Sequence, residues 1–328
     1  MGWRPAGIYC RRVPSHAPDT PAVSVIVPVR DGGQELSKLV ERLAAQTLPR
    51  SRFEVIIADD GSTDGAAATL SGGDGWLTVS PGPPRNPYVA RNRAAAIARG
   101  GVLAFSDADC VPEPDWLERG LAALEHADIV AGMVRFIPPE NRTAWALLDI
   151  DTFLDQELTV RAGGAVTANL FVARERFDRL GGFDDTLANG GDQEFVRRAV
   201  AAGARLAFSP ESAVWHPARA TAGEFLAKVW RVHRRHAARE SRAGRRPAKL
   251  TPRALVPAVQ QVRSRRRSGR ALGLDRRRLG DSGLRPTVWD NVRALPLMYL
   301  LVPYFTTAAQ ALGWLEGRRQ RRARAAGP

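Results

Sequence analysis

The stretch from Ala22 to Phe105 alternates short β-branched runs with segments of helical periodicity, and this alternation constrains the fold most. The runs AVSVIVPV (22–29), FEVIIA (53–58) and GVLAF (101–105) read as buried strands. Between the first two, QELSKLVERLAAQ (34–46) places its apolar residues at helical spacing. Alternating strands and helices of this length favour parallel pairing with right-handed crossovers. The sequence therefore predicts an α/β fold with a Rossmann-like, mostly parallel sheet flanked by helices.

Polar clusters follow three of the predicted strands, at the point where each strand ends. They read PVRD (28–31), DDGSTD (59–64) and SDADC (106–110). Each has a simpler interpretation on its own, because aspartates and glycines also form ordinary solvated turns and helix caps. In parallel sheets, however, ligands bind beyond the carboxyl ends of the strands. The ordered occurrence of all three predicts that they converge on one site.

The charge of the chain is distributed unevenly. The 328 residues carry a net charge of +14, with 44% hydrophobic and 25% charged residues, a composition typical of a globular protein. The balance is −6 up to His216 and +20 from Pro217 onward. Cys10 and Cys110 are the two cysteines, which excludes a disulfide framework or a structural zinc site and suits a reducing compartment.

Residues 1–21 lack the apolar core of a signal peptide and fail the myristoylation pattern at Ala6. We expect this segment to be a disordered leader.

Four blocks in order resemble the glycosyltransferases of family 2, which have the GT-A fold. They are VSVIVPVRD, VIIADDGSTDG, ARNRAAAIARGGVLAFSDADCVPEPDWL, and LGGFDD followed by GGDQEFVRR. The resemblance covers residues 22–217, and SDADCVPEPDWL is its most specific part. It implies a GT-A catalytic domain over 22–218, with a nucleotide-sugar half (22–112) and a half that supplies the acceptor site and the base (113–218).

The resemblance implies an inverting transferase that uses a nucleotide-diphosphate sugar and a divalent cation, Mg²⁺ or Mn²⁺. The residues agree physically, because an acidic site binds a diphosphate only with a hard cation between them. Asp109 matches the metal-binding position of the family's Asp-X-Asp motif, and Asp107 the position that contacts the ribose or the metal shell. His216, in SAVWHP, is a candidate third metal ligand or diphosphate contact, although a histidine after an apolar run is often structural.

Further positions match the nucleotide site of the family. Pro28, Val29 and Asp31 match the end of the first strand, where relatives commonly have Asn in place of Asp31. Asp59 and Asp60 match positions near the base and ribose, and the sequence leaves open which of them faces the base. Arg91 matches a basic residue beside the nucleotide, with a solvated helix face as the alternative.

The block GGDQEFVRR resembles the catalytic block of the family. Asp192 matches the general base, Glu194 the second acid and Arg198 the arginine, so the last two are predicted acceptor or helper residues. Gly191 replaces a further glutamate. A structural interpretation is compatible, with Asp192 as the N-cap of a helix closed by Gly203. The positive end of that helix would favour the ionised base.

The C-terminal third suggests contact with a membrane. Residues 219–292 form a predicted basic helical tail, and residues 293–328 a hydrophobic, membrane-associated segment with a basic C-terminus. Residues 294–315 carry no charge and are long enough to cross a bilayer. Pro296 and Pro303 favour a re-entrant or interfacial segment instead. Sugar nucleotides are made in the cytosol. We therefore expect the basic tail to bind the anionic surface on the cytoplasmic face of the cell membrane.

Two other function classes remain as alternatives. A basic tail can bind nucleic acid or membranes nonspecifically, but no recognition motif accompanies it, so no specific nucleic acid is expected. A sugar-nucleotide pyrophosphorylase would place a Gly-rich, Arg-containing loop after the first strand, and PVRDGGQEL lacks that signature. The favoured acceptor is the hydroxyl of a sugar or lipid-linked molecule, for a cell-envelope or lipid-linked glycan.

Overall fold

The computed structural model describes residues 20–70, 77–187, 189–245, 257–270 and 272–325. The predicted leader, 1–21, therefore lies almost wholly outside the described residues.

The first half of the sheet follows the sequence prediction. Its strands are β1 (Val23–Val29), β2 (Phe53–Asp59), β3 (Leu77–Ser80) and β4 (Val102–Ser106). They lie in the order β3-β2-β1-β4, and all three neighbouring pairs are parallel. Helix α1 (Gly33–Ala44) connects β1 to β2, and α2 (Pro87–Ile97) precedes β4. The carboxyl ends of β1, β2 and β4 are thus adjacent, which brings the three polar clusters to one edge.

The second half of the sheet is mixed. Its strands are β5 (Val111–Pro112), β6 (Ile129–Ile137), β7 (Asn169–Ala173) and β8 (Leu206–Pro217). They extend the sheet in the order β4-β7-β6-β8-β5. Strand β7 is antiparallel to both β4 and β6, β8 is parallel to β6, and β5 is antiparallel to β8. The α/β class is confirmed, and four of the seven strand pairings in the described sheet are parallel, while the three antiparallel ones all involve strands of the second half.

Hydrophobic layers cover both faces of the sheet. Because side chains alternate along a strand, Val25 and Val27 of β1 face one layer while Ile26 faces the other. Helices α1 and α3 (Trp116–Leu124) pack on the first face. Helices α2, α6 (Arg174–Arg179) and α7 (Gly191–Ala201) pack on the second.

The C-terminal segment packs onto the catalytic body, the part of the chain that runs from β1 to β8. It contains α8 (Ala222–Arg242), α9 (Pro257–Arg267), α10 (Arg276–Asp281), α11 (Val288–Pro296) and α12 (Val302–Ala325). A third hydrophobic core joins these helices to α4 (Ala144–Thr152) through Leu148, Phe225 and Met298. A π-helical turn, Leu297–Leu301, lies between Pro296 and Pro303, so the two prolines are accommodated within one long helical stretch.

Buried ion pairs hold this segment in place. Asp149 and Asp151 of α4 are fully buried. Asp151 binds Arg265 of α9 through two hydrogen bonds of 2.6 and 3.1 Å. Asp149 pairs with Arg219 at 3.2 Å, just before α8. Asp155, the N-cap of α5 (Gln156–Arg161), pairs with Arg270 at 2.8 Å. Three carboxylates within seven residues therefore anchor the C-terminal helices.

We expect Gly313→Ala to destabilise the packing of α12 on α8. A Cβ at Gly313 would overlap the backbone carbonyl oxygen of Arg234, and one at Gly317 would overlap that of Ala238, so the helices would have to separate. Overpacking of this kind costs about 1–3 kcal/mol. Thermal melting should show a lower Tm for Gly313→Ala and an unchanged or higher one for the control Gly280→Ala, whose Cβ meets open space. Equal melting temperatures would contradict this packing.

Candidate functional site

Two clefts meet beyond the carboxyl ends of the strands. The strand-end cleft has a volume of about 880 Å³, and the helical cleft, between α7, α8 and α9, about 650 Å³. Of the predicted site residues, the strand-end cleft is lined by Pro28, Val29, Asp31, Asp60, Arg91, Asp107, Asp109, Asp192 and His216. Asp107 and Asp192 line both clefts, together with Tyr88, Thr167 and Lys228. Most of the predicted site is therefore assembled in one place.

The loop after β1 is held by Asp31. Its Oδ1 accepts hydrogen bonds from the backbone N–H and the hydroxyl of Thr63, at 2.7 and 3.2 Å. The N–H group of Thr63 lowers the pKa of Asp31. Asp31 has a φ of 54°, a left-handed conformation that Asn and Asp tolerate better than most residues. Asp31 is therefore a residue type that suits this position, as the Asn implied by the family resemblance would be.

The structure distinguishes the two aspartates at the end of β2. Asp59 Oδ1 accepts a 2.9 Å hydrogen bond from the N–H of Ser62, which closes the turn, and Asp59 does not line the cleft. Asp60 lines the cleft, and its Oδ1 accepts a 2.9 Å hydrogen bond from the N–H of Arg85. Of the two, Asp60 is therefore placed to contact a ligand.

Arg91 is part of the site rather than of a solvated helix face. Its side chain is 4% exposed, and its Nη2 lies 2.6 Å from Oδ1 of Asp107. The guanidinium also lies 5.7 Å from the ring centre of Tyr88. The solvated alternative is wrong, and Asp107 has a buried cation as its direct partner.

Asp109 and His216 lie next to each other in the lining of the strand-end cleft. Asp109 Oδ2 lies 3.4 Å from Nε2 of His216, which is 4% exposed. The other ring nitrogen, Nδ1, lies 2.7 Å from the carbonyl oxygen of Pro217, which can accept only. Nδ1 therefore carries a proton, and it is Nε2 that faces Asp109 and would be available to a metal ion in the neutral ring.

These two residues fit a divalent cation that is shared with a ligand. Two neighbouring ligands of an octahedral Mg²⁺ ion lie about 3 Å apart, close to the separation seen here. Within the described ranges, no group of three or more His, Cys, Asp or Glu side chains is placed to hold a metal. Magnesium sites commonly use one or two protein ligands, with phosphate and water completing the shell.

Asp192 lies where the two clefts join. Its Oδ1 accepts hydrogen bonds from the N–H of Gln193 at 2.8 Å and from the hydroxyl of Tyr88 at 3.3 Å. Its Oδ2 accepts from the N–H of Thr167 at 3.3 Å. The orientation of the carboxylate is thus fixed by groups from α2, from α7 and from the turn before β7.

Two expectations about Asp192 need correction. It is the second residue of α7 rather than the N-cap, which is Gly190 with a φ of 69°. Burial raises the pKa of Asp192 despite the hydrogen bonds and nearby Arg91, so the helix terminus does not dominate its ionisation. The predicted helix closure is confirmed, since the N–H of Gly203 donates to the carbonyl oxygen of Val200 at 2.9 Å.

Glu194 and Arg198 are placed differently from the prediction. Arg198 binds both carboxylate oxygens of Glu194 at 2.9 and 3.1 Å and donates to the carbonyl oxygen of Gly182 at 2.8 Å. Neither residue lines the two clefts. Their geometry supports a structural role, tying α7 to the loop that follows α6.

Helix α8 contributes side chains to the site that the sequence did not predict. Lys228, Arg231 and Arg235 line the strand-end cleft, although this segment reads as a basic tail. Burial, followed by the charge of Arg219, lowers the pKa of Lys228 to about 8. Its Nζ lies 4.2 Å from the ring centre of Phe153. The spacing of three and four residues was the available signal, because it puts these cations on one helix face.

Comparisons with known proteins agree with this geometry. The family "Glycosyl transferase family 2" matches residues 24–180. Glycosyltransferase AglE of Haloferax volcanii is 35% identical over 219 residues, which cover 65% of this chain and 72% of AglE. The pre-mycofactocin glycosyltransferase of Mycobacterium tuberculosis is 28% identical over 66% of this chain, which spans about half (47%) of that relative.

The fold also matches solved structures. The mannosyltransferase PcManGT from Pyrobaculum calidifontis, in complex with GDP-Man and Mn²⁺, superposes with a TM-score of 0.58 and 20% sequence identity. The match covers 94% of this chain and 90% of that protein. This superposition shows the shared fold, and the sequence match to AglE shows that the chain belongs to glycosyltransferase family 2.

Proposed function

We propose that this glycosyltransferase moves a sugar from a nucleotide-diphosphate sugar to an acceptor hydroxyl, with inversion at the anomeric carbon. The observation that carries the proposal is the position of Asp192 between the two clefts. A carboxylate there can reach an acceptor in one cleft and the anomeric carbon of a donor in the other. The sugar nucleotide would occupy the strand-end cleft and the acceptor the helical cleft.

The donor would be held by the polar strand ends. Asp60 and the loop of Asp31 line the part of the cleft nearest β1 and β2, where the resemblance puts the nucleoside. The related mannosyltransferase was solved with GDP-Man and Mn²⁺, which supports both a sugar nucleotide and a cation here. Asp109 and His216 would hold Mg²⁺ or Mn²⁺, which when bound supplies positive charge to the leaving diphosphate. Arg219, Lys228 and Arg231 add positive charge to the same cleft.

The chemistry would be a single displacement. As the acceptor oxygen forms its bond to the anomeric carbon, its proton passes to a carboxylate oxygen of Asp192. The bond between the anomeric carbon and the phosphate oxygen breaks, and the nucleoside diphosphate leaves with the electron pair. The hydroxyl of Tyr88 and the N–H of Thr167 hold the carboxylate in position. Burial raises the pKa of Tyr88, so its hydroxyl remains a donor.

The alternative nucleotidyltransferase function loses support. The curated relatives described above are glycosyltransferases, and the family match over residues 24–180 includes the three polar strand ends. The nucleic-acid alternative has no further feature in its favour.

We further propose that the C-terminal helices lie on an anionic membrane surface at the cytoplasmic face. One helical stretch, Val288–Ala323, is long and apolar enough to cross a membrane. However, α12 packs along α8, which carries Arg231, Arg234 and Arg235, so insertion across a bilayer would draw these charges into hydrocarbon. The outer face exposes large apolar side chains: Val288, Trp289, Leu300 and Tyr304. At the membrane interface, the exposed apolar side chains can enter the lipid while the arginines of α8 remain in water. This position also lies beside a lipid-linked or cell-envelope acceptor.

We expect Asp192→Asn to lower kcat by about 10²-fold or more, the usual range for a general base. Donor affinity should stay nearly unchanged, because other residues line the rest of the donor cleft. The matched control is Asp178→Asn, an exposed carboxylate on α6. Product NMR should show the anomeric configuration opposite to that of the donor.

The pH profile provides an independent readout of the same residue. Asp192 must be ionised to accept a proton, and its pKa is raised. Wild-type kcat should therefore fall as the pH decreases through a value above that of an ordinary aspartate, and this acid limb should be lost in Asp192→Asn. Retained configuration, or normal turnover of the variant, would refute the mechanism.

We expect Asp109→Asn to weaken Mn²⁺-dependent donor binding strongly while the protein stays folded. The substitution removes the anionic ligand but keeps the shape of the side chain. Calorimetric titration with UDP-sugars and GDP-sugars, with Mn²⁺ or with EDTA, measures the effect, and Asp115→Asn, an exposed carboxylate on the opposite end of the β4–α3 connection, is the control. Donor binding that is insensitive to EDTA in both proteins would remove the cation from the proposal.

We expect the double substitution Leu300→Glu and Tyr304→Glu to abolish binding to anionic vesicles. These side chains are 64% and 49% exposed, so the charges should be tolerated by the fold. Flotation with phosphatidylglycerol vesicles measures binding, and Ile97→Glu, on the catalytic body, should float like wild type. Wild-type protein that stays with membranes at alkaline pH and high salt would indicate a span instead of an interfacial helix.

A further inference from the structure

The helical cleft contains more positive charge than its own carboxylates neutralise. It is lined by four arginines and one lysine: Arg197, Arg239, Arg265, Arg270 and Lys228, whose pKa is lowered to about 8. Two of them are compensated, because Arg265 binds Asp151 and Arg270 binds Asp155. Burial of a charge is costly without such a partner, and of the other three cations Lys228 and Arg239 are half-buried while Arg197 is exposed.

The other three cations have weaker or neutral partners. Arg197 donates to the amide oxygen of Gln193 at 3.2 Å. The carboxylate nearest to Arg239 is that of Glu240, at 3.7 Å, but Glu240 binds Arg245 at 2.7 Å. Lys228 faces the ring of Phe153, and among the described residues it forms no ion pair within 4 Å.

The acidic groups in the cleft are already committed. Asp107 pairs with Arg91, Asp155 pairs with Arg270, and Asp192 is the proposed base. The pKa of His236, which also lines the cleft, is consistent with the excess of positive charge. Burial and then the charges of Arg239 and Arg197 lower the pKa of His236, with Glu240 acting in the opposite direction.

The excess charge is separated from the donor. Arg197, His236 and Arg239 line the helical cleft but not the strand-end cleft, where the diphosphate of the donor would lie. An anion bound by these side chains must therefore belong to another molecule. The base, Asp192, faces the same cleft, so that molecule is the acceptor.

We propose that the acceptor carries a phosphate group, bound by Arg197 and Arg239 with Lys228 on the side nearer the donor. This inference rests on the proposed function, because Asp192 as the base identifies the helical cleft as the acceptor site. A phosphate monoester carries about −1.5 to −2 charges and several acceptor oxygens, which suits two arginines and a lysine shared with the donor cleft better than a carboxylate group on the acceptor would. The phosphate can belong to a lipid or to a soluble sugar phosphate.

Two matched pairs of probes separate these sources. Farnesyl phosphate and farnesol differ only in the phosphate, and so do glucose 1-phosphate and glucose. Each is titrated into the full-length protein saturated with Mn²⁺ and with UDP or GDP, whichever binds, so that the donor cleft is filled. We expect a phosphorylated probe to bind at least about tenfold more tightly than its partner, as charge-assisted hydrogen bonds imply. Preference for farnesyl phosphate assigns a lipid source, and preference for glucose 1-phosphate a soluble one.

Variants locate the phosphate. Arg197→Gln and Arg239→Gln should each weaken binding of the phosphorylated probe about tenfold without changing nucleotide binding. The control Arg42→Gln, at an exposed position of α1, should behave as wild type. Unchanged binding in both variants, or equal binding of each matched pair, overturns the inference. Nucleotide saturation in the same experiment shows separately whether the donor site functions, so the two proposals can fail independently.

Discussion

The ion pair between Asp151 and Arg265 connects the catalytic body to the helices that complete its site. Both side chains are at least 95% buried and joined by two hydrogen bonds, so removing one partner would leave a buried charge at a cost of about 3–5 kcal/mol. Asp149 and Asp155 repeat the arrangement with Arg219 and Arg270. Because α8 and α9 line the helical cleft, the shape of that cleft depends on carboxylates outside the GT-A nucleotide half.

Helix α8 carries two separate tasks on its two faces. One face presents Lys228 and Arg231 to the strand-end cleft, while the adjoining face, at Arg234 and Ala238, packs against Gly313 and Gly317 of α12. A helix of 21 residues is a rigid connector, so the apolar surface of the C-terminal segment has a fixed relation to the reacting groups. Contact with a membrane would thereby set the direction from which a lipid-linked acceptor reaches Asp192.

The parts of the site that sequence patterns predicted are those set by local geometry. Strand periodicity located β1, β2 and β4, and parallel pairing then required Asp31, Asp60 and Asp107 to converge. Long-range packing decided the rest. The antiparallel direction of β7 depends on the path of the chain through α4 and α5. The orientation of Lys228 towards the clefts depends on the ion pairs of Asp149 and Asp151, which hold the C-terminal helices in place. No window of sequence contains both partners of those pairs, which lie 70 to 114 residues apart.

The ionisation of Asp192 shows how magnitudes decide between opposing effects. A helix N-terminus stabilises a carboxylate by about 0.3–1 kcal/mol, whereas each unit of pKa shift caused by loss of solvation corresponds to about 1.4 kcal/mol, and Asp192 is half-buried. Burial therefore prevails, even with Arg91 nearby and three hydrogen-bond donors around the carboxylate. A base with a raised pKa is a stronger proton acceptor once ionised, and this favours removal of a hydroxyl proton as the glycosidic bond forms. The same burial that opposes ionisation thus adapts Asp192 to its proposed role.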